Sequence, residues 1–131
     1  MSVVHVAVGV IVNDAGQVLI SKRSPDAHQG NLWEFPGGKL EPGETLERAL
    51  IRELREELGI EAQTSSPLLQ IRHDYGDKVV LLDVYVVREF AGEARGVEGQ
   101  ALRWVGVEDF KSYAFPAANE PIIEAVISLL G

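Results

Sequence analysis

Residues 38–60 read GKLEPGETLERALIRELREELGI, and this stretch sets both the local structure and the chemistry of the chain. The segment 41–44, Glu-Pro-Gly-Glu, is typical of a polar turn. Thr45 follows it and is a good N-cap residue, while Gly59 is a good residue for ending a helix. The stretch therefore predicts a turn and then a helix that begins after Thr45 and ends before Gly59.

The predicted helix carries acidic side chains where apolar ones are expected. At about 100° per residue one apolar stripe should face the core. Its members are Leu46, Ala49, Leu50, Leu54 and Leu58. Glu53 and Glu57 fall on or beside this stripe, with Glu56 a little further round. Clustered carboxylates repel one another and are costly to desolvate without a cation. Two interpretations remain open: ligands for Mg²⁺ or Mn²⁺, or a solvated helix with salt bridges to Arg52 and Arg55.

Working outward, alternating apolar residues predict a strand over residues 4–12, which the turn 13–16 joins to a strand at 18–20 as a first hairpin. Residues 32–35 are expected to run into a turn at 36–38. Further strands are predicted at 67–72, 78–90 and 101–105, and apolar spacing predicts a final helix over 120–130. The simplest assembly is an α/β (α+β) fold, in which a mixed sheet carries helices on its faces. At this length we expect one domain over residues 1–131.

Composition excludes several classes of protein. Twenty acidic against twelve basic side chains give a formal charge of −8, which disfavours binding to nucleic acid. No apolar run is long enough to span a bilayer, so no membrane partner is expected. The chain has no cysteine, and its first residues lack the pattern of a secretory signal. We therefore expect a cytoplasmic protein, and a monomer by default.

Every defining position of the Nudix box is filled over residues 38–60, so the chain resembles the Nudix hydrolases. The resemblance implies an α/β/α sandwich around a central mixed β-sheet, and hydrolysis of a nucleoside diphosphate linked to another moiety. The metal ligands that it implies are the carboxylates of Glu53, Glu56 and Glu57, with a backbone carbonyl of Gly37 or Gly38. Glu44 and Arg52 would orient the turn and the helix. Glu53 is the expected general base, and Lys39 and Arg23 are candidate clamps on phosphate oxygens. For Arg23 a solvated strand end is the simpler reading.

The match extends beyond the box. Segments 7–9, 26–28, 34–39, 98–100 and 115–121 resemble the MutT-type 8-oxo-dGTP diphosphatases over nearly the full length. That similarity implies attack on the β-phosphorus of an oxidised guanine nucleotide, with release of the monophosphate and pyrophosphate. It also implies a further metal or base contact for Glu98, although a carboxylate in a glycine-flanked loop is usually solvated.

Asn119 is the residue expected to recognise the base. Guanine presents two acceptors, N7 and O6, whereas the 8-oxo form carries a proton on N7 and so offers a donor beside an acceptor. An asparagine amide matches that pair with its own carbonyl and NH₂. The alternative is that Asn119 only caps the helix that starts at Glu120.

Other candidate substrate contacts are spread along the chain. Phe35 and Val8, with neighbouring strand valines, would wall an apolar base pocket, although such residues are more often plain core. Lys78 lies where the resembled enzymes line the base and sugar pocket. His28, before the box, suits a phosphate or ribose contact as well as it suits the surface.

Rival functions remain at this point. Nudix hydrolases of cytidine nucleotides share the scaffold, but are expected to carry aspartate where this chain has Asn119. Hydrolases of diadenosine polyphosphates are a second alternative, suggested only by Tyr75 in a turn. A non-catalytic nucleotide-binding Nudix domain is a third alternative, and such domains usually lose glutamates of the box.

Overall fold

The computed structural model describes residues 2–26 and 30–131. Its strands are β1 (Ser2–Ile11), β2 (Val18–Lys22), β3 (Trp33–Glu34), β4 (Gly37–Lys39), β5 (Glu61–Asp74), β6 (Lys78–Ala91) and β7 (Leu102–Val105). Its helices are α1 (Leu46–Leu58) and α2 (Glu120–Leu130), and two short 3₁₀ turns lie at Val107–Ser112 and Ala117–Asn119. Within the described ranges, no helix is long and apolar enough to cross a membrane.

The strands form two sheets. The larger has the order β4-β1-β6-β5, in which β1 and β6 are parallel and the other pairs are antiparallel. The smaller has the order β3-β2-β7 and is antiparallel. The predicted mixed sheet is therefore confirmed.

The predicted first hairpin is wrong in its pairing. The turn itself is present, because the Asn13 side chain accepts hydrogen bonds from the backbone N–H groups of Ala15 and Gln17. Only one bridge, between Val12 and Val18, joins the two arms, and β1 and β2 then enter different sheets. Strand β1 pairs with β4 and β6, and β2 pairs with β7, all of which are distant in sequence. The alternation of apolar residues within one strand cannot reveal such partners.

Strand β1 divides the interior into two cores because successive side chains point to opposite faces. Val8 and Val10 pack in the core that includes Ile122 and Val126 of α2. The other core contains Ala7 and Ile11 of β1, and the α1 residues Ala49, Leu50, Leu54 and Leu58. One helix thus covers each face, which is the α/β/α layering expected.

Helix α1 begins and ends as predicted. The Thr45 hydroxyl accepts a hydrogen bond from the Arg48 N–H at 3.2 Å, and Gly59 adopts the left-handed conformation with φ 70°. Strand β5 starts at Glu61, six residues before the predicted start at Pro67. Its early residues are polar because β5 is an edge strand, and its pairing with β6 is irregular around Pro67, which has no N–H to donate.

Candidate active site

Arg52 joins helix α1 to the preceding turn and to β4. Its guanidinium donates two hydrogen bonds to the Glu44 carboxylate, at 2.7 and 2.9 Å, and one to the Lys39 carbonyl at 3.0 Å. It also donates to Glu53 at 2.8 Å and to Glu56 at 3.3 Å. The hydrogen bonds from Arg52 lower the pKa of Glu44 to about 2. Through these contacts Arg52 and Glu44 hold the turn 41–44 against helix α1.

Salt bridges do not account for all the acids of the helix. Arg55 pairs with Glu61, outside the acidic cluster. Arg52 reaches Glu53 and Glu56, but Glu57 has a buried oxygen, Oε2, without a hydrogen-bond partner. The interpretation of a plain solvated helix therefore fails at Glu57.

The surroundings of Glu57 favour a neutral carboxyl or a bound cation. Burial raises its pKa to about 9, and a hydrogen bond with the Glu53 carboxylate and the negative charges of Glu53, Glu34 and Glu98 add to that rise. An ionised carboxylate held among like charges in a partly dry site is unfavourable unless positive charge is supplied. Glu57 is thus the strongest sign of a cation site in the fold.

Two glycines of β4 bring the backbone close to this cluster. A Cβ on Gly38 would lie 2.4 Å from Cδ and Oε2 of Glu53. A Cβ on Gly37 would lie 2.0 Å from the carbonyl oxygen of Ala7, in the backbone of β1. Gly38 therefore leaves room for the Glu53 carboxylate, whereas Gly37 leaves room for strand pairing.

Two cavities meet beside the cluster. The first, here called the carboxylate cavity, has a volume of about 360 Å³, and Glu57 and Glu98 are among its lining residues. The second, here called the apolar cavity, has a volume of about 290 Å³ and lies against the faces of β1 and β6. Arg23 and Glu34 line both cavities, and the Arg23 guanidinium donates to Glu34 Oε1 at 2.6 Å. The pair marks the junction between them.

The apolar cavity collects most of the predicted substrate contacts. Its lining includes Val6, Val8, Arg23, Phe35, Lys39, Val80 and Asn119. Phe35 is buried and stacks on Phe115, with ring centroids 5.4 Å apart. Asn119 stands at the N-cap position of α2, yet its side chain makes no capping hydrogen bond. Helix capping by the Asn119 side chain is therefore not found, and the residue lines the cavity instead.

Two predicted contacts lie elsewhere. Lys78 is not among the described residues that line the apolar cavity. Its ammonium lies 5.9 Å from the ring centroid of Tyr75, and Tyr75 does line the cavity. Tyr75 therefore lies at the site rather than only in a turn. His28 falls outside the described residues, so its predicted contact remains a prediction.

The sequence reasoning missed Glu34 and Gln100. Glu34 lines both cavities and is paired with Arg23, and Gln100 lines the carboxylate cavity. Burial raises the pKa of Glu34 although Arg23 opposes the rise. Both residues lie in segments quoted for their resemblance, 34–39 and 98–100, and that was the only signal that singled them out.

The carboxylates of Glu53, Glu56 and Glu57 are chemically suited to bind a hard divalent cation. Across the described part of the chain, no three His, Asp or Glu side chains already converge as a metal centre. Arg52 forms ion pairs with Glu53 and Glu56. Glu56 is 56% exposed and can turn away from Arg52 at little cost. Carboxylate oxygens without sulfur or imidazole, one of them buried and unpaired, suit Mg²⁺ or Mn²⁺.

Comparison with known proteins agrees with the fold and the site. Residues 7–125 match the model of the NUDIX domain. The chain is 41% identical over 123 residues to the 8-oxo-dGTP diphosphatase of Escherichia coli strain K12, covering 94% of this chain and 95% of that protein. It is 36% identical over 129 residues to the CTP pyrophosphohydrolase of the same organism, covering 98% and 95%.

Solved structures show the same architecture. A structure from work on MutT from Aliivibrio salmonicida and Vibrio cholerae superposes with a TM-score of 0.89 at 36% identity, covering 98% of this chain and 99% of that one. The filled box, the layered fold and these similarities lead to one conclusion: the chain belongs to the Nudix hydrolase family.

Proposed function

We propose that this protein hydrolyses 8-oxo-dGTP to the nucleoside monophosphate and pyrophosphate, and so removes a mutagenic precursor from the nucleotide pool. The observation that carries the proposal is the junction of the two cavities, which places an apolar chamber containing Asn119 beside a chamber lined by carboxylates. The proposed enzyme is a cytoplasmic monomer that acts on free nucleotides and not on nucleic acid. Its relative with 41% identity bears the name of the same activity.

Recognition of the base is assigned to the apolar cavity. Phe35 and the valines of β1 and β6 offer flat apolar walls for a purine ring. The Asn119 amide can accept from the N7 proton of 8-oxoguanine and donate to its O6. With unoxidised guanine the Asn119 carbonyl would face the N7 lone pair, and a site built on a polar pair rejects such a mismatch by roughly 10⁴-fold.

The carboxylate cavity is assigned to the phosphates and the metal. Glu57 and Glu98 line this cavity, whereas Gly37 and Gly38 line the apolar cavity. Glu53 and Glu56 line neither cavity and are held by Arg52 on the same helix as Glu57. These four carboxylates, with a backbone carbonyl of Gly37 or Gly38, would hold Mg²⁺ or Mn²⁺. When bound, the metal would neutralise negative charge on the diphosphate and lower the pKa of the attacking water. The water oxygen bonds to the β-phosphorus, and the bond from that phosphorus to the α–β bridging oxygen breaks.

The residues of the chain then have separate tasks in this reaction. Glu53, which Arg52 holds at 2.8 Å, accepts the proton of the attacking water, and Glu98 is the alternative acceptor. Arg23, held at the junction by Glu34, and Lys39, at the rim of the apolar cavity, bind phosphate oxygens.

A second candidate activity is hydrolysis of CTP. It is favoured by the relative of that name, which is 36% identical over 98% of this chain. The same carboxylates would serve, so the two candidates differ only in the base. Asn119 favours the oxidised purine, because hydrolases of cytidine nucleotides are expected to carry aspartate at this position, where this chain has an amide lining the cavity.

Steady-state kinetics with Mg²⁺ tests the proposal. We expect kcat/KM for 8-oxo-dGTP to exceed that for dGTP by roughly 10⁴-fold and to exceed that for CTP clearly. Glu53→Gln serves as the inactive control, with its fold checked by circular dichroism. Comparable values for 8-oxo-dGTP and dGTP would show that the base-recognition hypothesis is wrong, and a preference for CTP would select the second candidate.

A further inference from the structure

The loop 92–101, between β6 and β7, is fastened to the last turn of α1. The Glu57 carbonyl accepts hydrogen bonds from the Val97 N–H at 3.1 Å and from Gln100 Nε2 at 3.0 Å. The Leu58 carbonyl accepts one from the Arg95 N–H at 3.0 Å. Carbonyl groups in the last turn of a helix have no partner within the helix, and here the loop supplies partners for two of them.

The Gln100 side chain bonds to the backbone at two places. Its Nε2 donates to the Glu57 carbonyl, and its Oε1 accepts from the Glu98 N–H at 3.0 Å. One amide group therefore joins the backbone of Glu57, on the helix, to the backbone of Glu98, on the loop. The carboxylates of both residues face the same cavity of about 360 Å³.

The backbone bonds of the loop hold the residues on either side of Glu98, while the Glu98 N–H itself bonds to the Gln100 side chain. The bonds to α1 from the loop backbone stop at Val97, and the loop rejoins a strand at Ala101, whose carbonyl accepts from Lys22. Between these points the chain turns tightly, with the Gly99 N–H donating to the Gly96 carbonyl at 2.9 Å. Glu98 stands in this turn and is exposed, and its own N–H donates to the Gln100 amide. The amide therefore links Glu98 to Glu57 in addition to the backbone bonds of Val97 and Gly99.

We infer that Gln100 is a positioning residue, whose side-chain amide sets the placement of the Glu98 carboxylate relative to that of Glu57. The inference rests on the proposed function in one respect only, that Glu98 contributes to metal binding and hydrolysis. Gln100 acts through Glu98 and touches no reacting atom. Residues that support metal ligands in this way typically change metal affinity or activity by about 10- to 100-fold when replaced.

The experiment is a double-mutant cycle. Gln100→Met keeps the length of the side chain and removes both hydrogen bonds, and Gln100→Leu removes both with a side chain of another shape and no added charge. Each change is made in the natural chain and in a Glu98→Gln background. Gln63→Met, an exposed glutamine of β5, is the matched control. Two quantities are measured: Mn²⁺ affinity by electron paramagnetic resonance without nucleotide, and kcat and KM for 8-oxo-dGTP.

We expect Gln100→Met to weaken Mn²⁺ binding and to lower kcat by about 10-fold or more, with KM within about 3-fold. In the Glu98→Gln background the same change should have almost no further effect, because the group that Gln100 positions is already disabled. Equal losses in both backgrounds, or no loss in either, would overturn the inference. So would a failure of both Gln100 variants to fold. If the natural chain binds Mn²⁺ but does not hydrolyse 8-oxo-dGTP, the proposed function fails, while the Mn²⁺ cycle still decides the role of Gln100.

Discussion

The replacement Gly38→Ala should impair catalysis far more than it impairs folding. The added Cβ would lie 2.4 Å from Cδ and Oε2 of Glu53 and 2.6 Å from Oε1, whereas ordinary van der Waals contact begins at 3.4 Å. The Glu53 carboxylate must therefore move by about 1 Å. Because only the end of a side chain moves, the cost to folding should be about 1 kcal/mol. A 1 Å misplacement in a catalytic arrangement lowers the rate by about 100-fold.

The assay compares kcat for 8-oxo-dGTP with the melting temperature, for Gly38→Ala and two other glycine variants. Gly37→Ala places its Cβ 2.0 Å from the backbone carbonyl of Ala7, so it should destabilise the pairing of β1 with β4 and lower the melting temperature strongly. Gly16→Ala, in an exposed turn with φ 77°, should lower stability by about 1 kcal/mol through backbone strain alone and leave kcat unchanged. A Gly38→Ala protein with kcat within 3-fold of the natural chain would refute the reasoning, since Glu53 would then tolerate displacement.

Three further predictions follow from the site. Asn119→Ala should reduce the preference for 8-oxo-dGTP over dGTP by about 100-fold or more, while dGTP hydrolysis changes little; unchanged discrimination in the same kinetic assay would assign recognition to the backbone. In EDTA, the natural chain should lose stability as pH rises from about 4.5 to about 9, because Glu57 keeps its proton in the folded state and loses it on unfolding. Glu57→Gln should flatten that melting-temperature profile, and a profile still steep would contradict the raised pKa. Glu44→Gln should remove stability that is present above pH 4.5 and lost as pH falls toward about 2, since hydrogen bonds from Arg52 lower the pKa of Glu44. Melting curves of the two proteins that converge at pH 2 and separate at pH 6 would bear this out, and parallel curves would not.

Elements with a strong local signal were predictable. Helix α1 has its N-cap and its glycine stop in the sequence, and α2 has its apolar spacing, so both were located correctly. The start of β5 was missed because residues 61–66 are polar and belong to an edge strand. The hairpin of β1 with β2 was wrong because strand partners are chosen by contacts far apart in sequence.

The residues of the candidate site also fall into two groups, those that could be identified from the sequence and those that could not. The helical period showed that Glu53, Glu56 and Glu57 cluster beside the apolar stripe, and the resemblance to the Nudix box gave their expected role as metal ligands. Glu34 and Gln100 were missed, since their importance lies in their partners: Arg23 for Glu34, and the backbone of Glu57 and Glu98 for Gln100.

The sequence by itself determined the class of chemistry through its resemblance to the Nudix box, because the turn, the helix and its acids all lie within the single stretch 38–60. Only the tertiary structure decided which distant residues share a cavity. The sheet pairings bring Glu34, Glu57, Glu98 and Asn119 to adjoining chambers. Burial likewise belongs to the fold, and it is burial that leaves an oxygen of Glu57 unpaired and raises its pKa to about 9.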